Sequence, residues 1–299
     1  MSPTVVIHQP DRMHNYSIIQ DEQADLLAAK LASIIEAALV APQAEGARTA
    51  ALDIDATYTD FATRTPPTPN EDFLVCLWKI FAQIGGSLPH VDNQQDPLIL
   101  IAKELHKLPV RIITMHTFPN KAQLWQGLEW FEAGIPQPWE ARSALGERSR
   151  SELINKHALA AKLFGLGLVG LALDGMVVLR QVVEGVEIEH NGQRVVSATP
   201  TDIEHLDIKT AIAATWIQYA ALPLLGYDEG DEVLDGGPLW QEARRQIMES
   251  GDHFSADELH YNRWVLWKGQ FEAIADCPDV DAETRAIAYD AFTTMERLG

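Results

Sequence analysis

The feature that most constrains this chain is the spacing of its apolar residues, which recur every three to four positions in one segment after another. In residues 21–39 the repeat is carried by Leu27, Leu31, Ile34, Ile35 and Ala38. Such spacing gathers apolar side chains on one face of an α-helix, because the helix turns once in about 3.6 residues. Comparable patterns along the chain predict at least eight helices and therefore an all-α fold.

Proline and glycine predict where these helices are interrupted. The segments 41–51 and 63–70 are rich in these and other small residues and are predicted to be connections. Asn120 is predicted to cap a helix that ends at Gly134, and residues 110–118 are β-branched enough for a strand.

The longest helical region is predicted at residues 151–184, where the pattern is apolar nearly all round. We place a break in it at Asp174-Gly175. After it, Asn191-Gly192 lies between two short alternating runs, as in a β-hairpin.

The predicted organisation is an N-terminal tail at residues 1–20 and a single all-helical domain at residues 21–299. A single domain is expected because no shift in composition divides the chain, and it is expected to contain at most one short hairpin. Near the C-terminus, Ser255 and Glu258 have the spacing of a capping box at a helix start.

The charge balance excludes several classes of partner. The chain has 43 acidic and 23 basic residues, and the formal net charge of -20 would repel nucleic acid and anionic lipid. We therefore predict no nucleic-acid partner, and a homo-oligomer is left open.

The location of the protein is predicted from its cysteines and its apolar runs. Only two cysteines occur, Cys76 and Cys277, which fits a reducing compartment. The longest apolar run, residues 163–173, is shorter than the roughly 20 residues of a membrane-spanning helix. Residues 1–17 lack the basic and apolar regions of a secretory signal. We predict a cytoplasmic protein with no membrane insertion.

Two sequence motifs resemble known chemical motifs only in part. Gly165-x-Gly167-x-x-Gly170 matches a dinucleotide fingerprint, but its flanks are predicted to be helical, so close helix packing is favoured over nucleotide binding. Asp53-x-Asp55 is half of a protonating D-x-D-D motif, with Ala56 in place of the last carboxylate. We predict neither a metal site nor a cofactor.

Candidate site residues come from aromatic and charged positions on the predicted helices. Trp216, Trp264 and Trp267 are either core residues, which the residue pattern favours, or the wall of an apolar pocket. Asp174 and Arg180 lie in an apolar helix, where charge is costly unless it is paired or useful. They are predicted to bind substrate or to form a buried salt bridge. The predicted catalytic donors are Tyr219, His157 and Lys268.

Four segments resemble an all-helical family of filamentous fungi that is catalogued as a domain of unknown function. They are Ala214–Ala220, Gly236–Trp240, the R-W-x-x-W-K-x-x-F motif of residues 263–271, and Thr284–Glu296. The resemblance covers about residues 149–299 and implies a soluble fungal protein. It also implies an association with small-molecule biosynthesis, in which a cyclisation of the Diels–Alder type is expected, but it assigns no catalytic residue.

The expected function is a cofactor-independent cyclase or isomerase that folds an apolar terpenoid or polyketide intermediate. Holding the reacting groups together requires little covalent chemistry from the protein. The alternative is a helical interaction or scaffold protein that presents its acidic surface to a partner and uses its tryptophans only as core.

Overall fold

The computed structural model describes residues 22–64, 70–116, 121–135, 146–227, 236–249 and 256–298. Within these ranges the chain is built almost entirely of α-helices, which confirms the predicted all-α fold. The helices are α1 Glu22–Val40, α2 Gln43–Arg64, α3 Asn70–Ser87, α4 Asp96–His106, α5 Glu147–Gly165, α6 Ala172–Val183, α7 Leu206–Leu225, α8 Pro238–Glu249, α9 Ala256–Asp276 and α10 Ala282–Leu298. Short 3₁₀ turns occur at Phe131–Gly134 and Pro200–Asp202.

The helices pack around one connected cluster of buried apolar residues that runs from Leu31 to Met295. In its N-terminal part α1 packs on α2 and α3, and α2 packs on α4. Helix α5 then contacts both α3 and α7, and α7 contacts α6 and α10. Helices α5 and α7 therefore occupy the centre, where both are lined by fully buried side chains.

Two short antiparallel hairpins are present in the described ranges, where at most one was expected. β3 (Val186–His190) and β4 (Gln193–Ser197) pair across Asn191-Gly192, and both turn residues have positive φ, as the predicted hairpin requires. The additional pair joins β1 (Ile112–Thr114) to β2 (Lys121–Gln123).

The helix predicted from Asn120 to Gly134 is wrong. Residues 121–123 form strand β2, and the chain then turns through left-handed backbone at Leu128 and Trp130. Hydrogen bonds from other elements hold this path, because the Trp125 indole donates to Asp55 (2.6 Å) and the Trp78 indole donates to the Glu129 carbonyl (2.8 Å).

The predicted connection at residues 41–51 is also wrong, because α2 begins at Gln43. Ala47, Ala50 and Ala51 are buried and pack in the core, and alanine is the strongest helix former. Small residues at this position therefore indicate a close helix contact rather than a loop.

The break in the central helical region lies before the predicted Asp174-Gly175, at residues 166–171. Gly167 has φ +69° and its N–H bonds to the Phe164 carbonyl, while the Leu168 N–H reaches the Leu163 carbonyl. This is a Schellman motif, which ends a helix at a left-handed glycine. The predicted tail and Ser255 of the capping box lie outside the described residues.

Candidate functional site

The three tryptophans predicted to line a pocket are all buried in the core. Trp216 is fully buried on α7, and a Cβ at Gly175 of α6 would approach its ring to 2.7 Å. Trp264 and Trp267 are buried on α9 with their ring centres 6.3 Å apart. Each therefore packs within the helix assembly, and their role in substrate binding stays a prediction.

His157 and Trp216 are two predicted site residues that the fold brings into contact. The Trp216 indole N–H donates to Nδ1 of His157 over 3.4 Å, which places the imidazole proton on Nε2. His157 is 1% exposed on α5. This contact links α5 to α7 inside the core.

Asp174 and Arg180 occupy opposite ends of α6 and are half-buried. Asp174 lies in the first turn and Arg180 in the last turn, so the helix dipole stabilises the charge of each residue. Their six-residue separation places them roughly 9 Å apart along the axis, and their predicted roles stay predictions.

Lys268 lies on the surface side of α9 and pairs with Glu296 of α10 over 2.7 Å. The hydrogen bond from Lys268 to this carboxylate raises the pKa of the lysine. The pair joins the two C-terminal helices α9 and α10. The catalytic role of Lys268 stays a prediction.

The R-W-x-x-W-K motif surrounds a buried carboxylate that the sequence did not identify. Glu184, at the end of α6, accepts hydrogen bonds from Arg263 Nε (2.6 Å) and the Trp267 indole (2.7 Å). The backbone N–H of Gly237 donates to the same carboxylate, and a Cβ there would lie 2.5 Å from the Glu184 Cβ. Two of the segments that carried the family resemblance thus meet at one buried ion pair.

An open groove of about 480 Å³ lies between α8 and α9. Its lining residues are Trp240, Ala243, Gln246, Ile247, Asn262, Val265 and Leu266. The predicted pocket residues Trp264 and Trp267 are not in this lining, because they face the core on the other side of α9.

Tyr219, a predicted catalytic residue, lies beside a histidine and a lysine. Its hydroxyl lies 3.3 Å from Nδ1 of His90 and 3.4 Å from the His90 carbonyl oxygen. Lys162 Nζ lies 4.7 Å from the centre of the Tyr219 ring and donates to the same carbonyl over 2.6 Å. We call these three half-buried residues the His90 cluster.

Buried amides hold the loop that carries His90. Asn155 of α5 accepts from the His90 backbone N–H (3.1 Å) and donates to the Gly86 carbonyl (2.9 Å). Gln95, fully buried, donates to the carbonyls of Gly85 (3.0 Å) and Asn155 (2.8 Å). These bonds hold the backbone of the loop that carries His90 against α5.

Partial burial shifts the pKa of each group in the cluster in the direction that favours the neutral form of that group. Burial lowers the pKa of Lys162 against the opposing effect of Asp96, and it raises the pKa of Tyr219 with the help of Asp96. Burial, with the nearby charge of Lys162, lowers the pKa of His90. A neutral imidazole next to a phenol can pass a proton in either direction according to its tautomer.

The sequence contains one signal for this cluster. Lys162 is the only charged residue in the apolar stretch from Ala158 to Leu173, directly before the longest apolar run. A lone lysine in such a run is costly unless it has partners. His90 had no comparable signal, because only the folded loop brings it to Tyr219.

Asp55 of the D-x-D pair has a structural role. Asp55 accepts from the Trp125 indole and pairs with Arg111, so it holds the β1–β2 hairpin on α2. Within the described ranges, no group of three or more His, Cys, Asp or Glu residues is placed to hold a metal ion. Nor does any helix in those ranges combine the length and apolarity needed to cross a bilayer.

Comparison with protein-family models gives a match over most of the chain. A family described as "Protein of unknown function (DUF3632)" matches residues 78–271, which include Glu184 and the whole His90 cluster. Searches of curated proteins and of solved structures give no match.

Proposed function

We propose that this chain, which belongs to the DUF3632 family of proteins of unknown function, is a cofactor-independent cyclase or isomerase. Its substrate would be an apolar carbonyl compound, a terpenoid or polyketide intermediate of fungal natural-product biosynthesis. The observation that carries the proposal is the contact between the Tyr219 hydroxyl and His90 beside Lys162.

In the proposed reaction the Tyr219 hydroxyl donates a hydrogen bond to the substrate carbonyl. Negative charge that develops on this oxygen is stabilised by the donor, which already stands in place. His90 can take or return the phenolic proton over its 3.3 Å contact. Confinement of the reacting groups supplies the rest of the rate enhancement.

The test is conversion of an accumulated compound. Purified protein is incubated with an extract from a strain that lacks the gene, and products are followed by mass spectrometry without added metal or nucleotide. We expect one accumulated compound to be consumed and an isomer to appear. Tyr219→Phe should lower kcat by roughly 100-fold, the typical effect of removing one such donor.

Tyr289→Phe is the matched control, because Tyr289 is 59% exposed on α10. It should retain full activity, and circular dichroism should show that both variants are folded. Conversion that is equal in Tyr219→Phe and in the wild-type chain would contradict the proposed role of the cluster.

The second candidate is an interaction or scaffold protein, supported by the burial of Trp216, Trp264 and Trp267 in the core. In that case the tryptophans stabilise helices and the acidic surface meets a partner. A deletion strain complemented with Tyr219→Phe would then have the same metabolite profile as one complemented with the wild-type gene.

A further inference from the structure

Lys162 is half-buried, and its amine contacts groups that a surface lysine would not meet. Its Nζ lies between the His90 carbonyl, at 2.6 Å, and the face of the Tyr219 ring, at 4.7 Å from the centre. The same tyrosine carries the hydroxyl that contacts the imidazole. An amine, a phenol and an imidazole therefore meet at one half-buried point between α5, α7 and the α3–α4 loop.

We propose that Lys162 forms a transient imine with the carbonyl carbon of the substrate, which is therefore an apolar aldehyde or ketone. The inference rests on the proposed function and names its substrate class. A neutral amine keeps two N–H donors, so the hydrogen bond to His90 can persist while the lone pair attacks. Burial lowers the pKa of Lys162 and so increases its neutral fraction.

The step balances without a cofactor. The Lys162 nitrogen adds to the carbonyl carbon, a C–N bond forms, and the carbonyl oxygen takes the Tyr219 proton. The tyrosinate recovers a proton from the nitrogen, which leaves a neutral carbinolamine. The hydroxyl group then departs as water with a proton passed from solvent through His90 and Tyr219, and the product is an iminium ion. Hydrolysis reverses these changes after the substrate has reacted.

An iminium ion withdraws electrons from a conjugated double bond more strongly than the parent carbonyl does. It would therefore activate an unsaturated aldehyde or ketone toward intramolecular cycloaddition or isomerisation. Exposed apolar side chains lie one helical turn beyond the reacting groups, with Leu166 (48% exposed) after Lys162 and Leu222 (64% exposed) after Tyr219. This placement fits an apolar substrate.

The test is reductive trapping on the purified full-length chain. The probe is 2-naphthaldehyde with sodium cyanoborohydride at neutral pH, and tryptic peptides are mapped over time by mass spectrometry. Lys209 is the internal control, because burial lowers its pKa as well, against the effect of Glu204. We expect labelling of Lys162 to be at least about tenfold faster than that of Lys209, given the acid–base pair beside it.

Variants separate this inference from the proposed function. Tyr219→Phe should slow labelling of Lys162 and leave labelling of Lys209 unchanged. Lys162→Arg should lose conversion of the accumulated compound, while Lys209→Arg should keep it. Equal labelling of both lysines would overturn the imine.

Conversion that survives in Lys162→Arg and is lost in Tyr219→Phe would also overturn the imine and leave the proposed function standing. Preferential labelling of Lys162 in a chain that converts no accumulated compound would instead overturn the proposed function and support the imine chemistry.

Discussion

At Glu184 a single carboxylate joins three parts of the chain that are far apart in sequence. Arg263 and Trp267 donate to it from α9, and Gly237 donates from the start of α8. Arg263 also lies 5.6 Å from the Trp240 ring centre and 5.4 Å from that of Trp267. The motif residues that resemble the family therefore act here as a buried ion pair with aromatic walls.

Removing the charge of Glu184 should destabilise the protein strongly. Glu184→Gln removes the carboxylate that pairs with the Arg263 guanidinium, 4% exposed, and breaking a buried pair in this way costs roughly 3–5 kcal/mol. Urea unfolding measures the change. The control is Glu296→Gln, which removes the exposed pair with Lys268 and should have a much smaller effect. Equal losses in the two variants would contradict this assignment.

His90 should make stability depend on pH. Because burial and Lys162 lower the pKa of His90 below its ordinary value of 6.5, the folded state binds its proton less readily than the unfolded chain. The free energy of unfolding should therefore be full above pH 6.5 and fall as the pH drops from there toward the lowered pKa.

Urea unfolding across this range measures the slope for the wild-type chain and for His90→Gln. The variant should have the smaller slope, and His190→Gln, at an exposed position on β3, should behave like the wild type. A slope that His90→Gln does not reduce would assign the pH dependence to other groups.

At the scale of single elements, sequence patterns predict some helix boundaries and fail at others. The starts of α8 at Pro238 and of α10 near Asp281 coincide with a proline and a capping aspartate, which are local signals in the sequence. The segment 121–135 has apolar spacing typical of a helix, but strand pairing and the bonds of Trp78 and Trp125 hold it in another path.

Two glycines at the C-terminal end of α5 have different roles. Gly165 is needed for close packing, as the sequence predicted, because a Cβ there would lie 2.0 Å from the Tyr219 carbonyl oxygen. Gly167 has open space around it but a left-handed φ of +69°. One glycine therefore serves the contact of α5 with α7, and the other ends α5.

Alanine substitutions at two glycines should have opposite effects. Gly165→Ala forces its methyl group against backbone and should cost roughly 1–3 kcal/mol. Gly269→Ala, inside α9 with no atom within 4 Å of the added Cβ, should stabilise the protein by roughly 0.5–1 kcal/mol. Thermal and urea unfolding measure both, and a neutral Gly165→Ala would argue against the close contact.

At the scale of the whole molecule, one connected cluster of buried apolar side chains runs from α1 to α10 within the described ranges. Helix α5 contacts both α3 and α7 and so bridges the N-terminal and C-terminal helices. The single domain predicted for residues 21–299 therefore has a direct consequence for unfolding.

The chain should unfold in one cooperative transition. Tryptophan fluorescence samples Trp78 and Trp125 in the N-terminal part and Trp264 and Trp267 in the C-terminal part. Its urea midpoint should coincide with that of far-UV circular dichroism, which samples all helices. Two separated transitions would show that the N-terminal and C-terminal helices are independent domains.

The sequence by itself determined the all-α class, most helices and the Asn191-Gly192 hairpin, because local spacing and turn chemistry specify these directly. It also singled out Tyr219 and the R-W-x-x-W-K segment. Only the tertiary structure decided that Tyr219 faces His90 and Lys162 and that Arg263 pairs with Glu184. Along the sequence, Tyr219 lies 57 residues from Lys162 and 129 residues from His90. Contacts at such separations depend on how helices pack, and no local pattern records that.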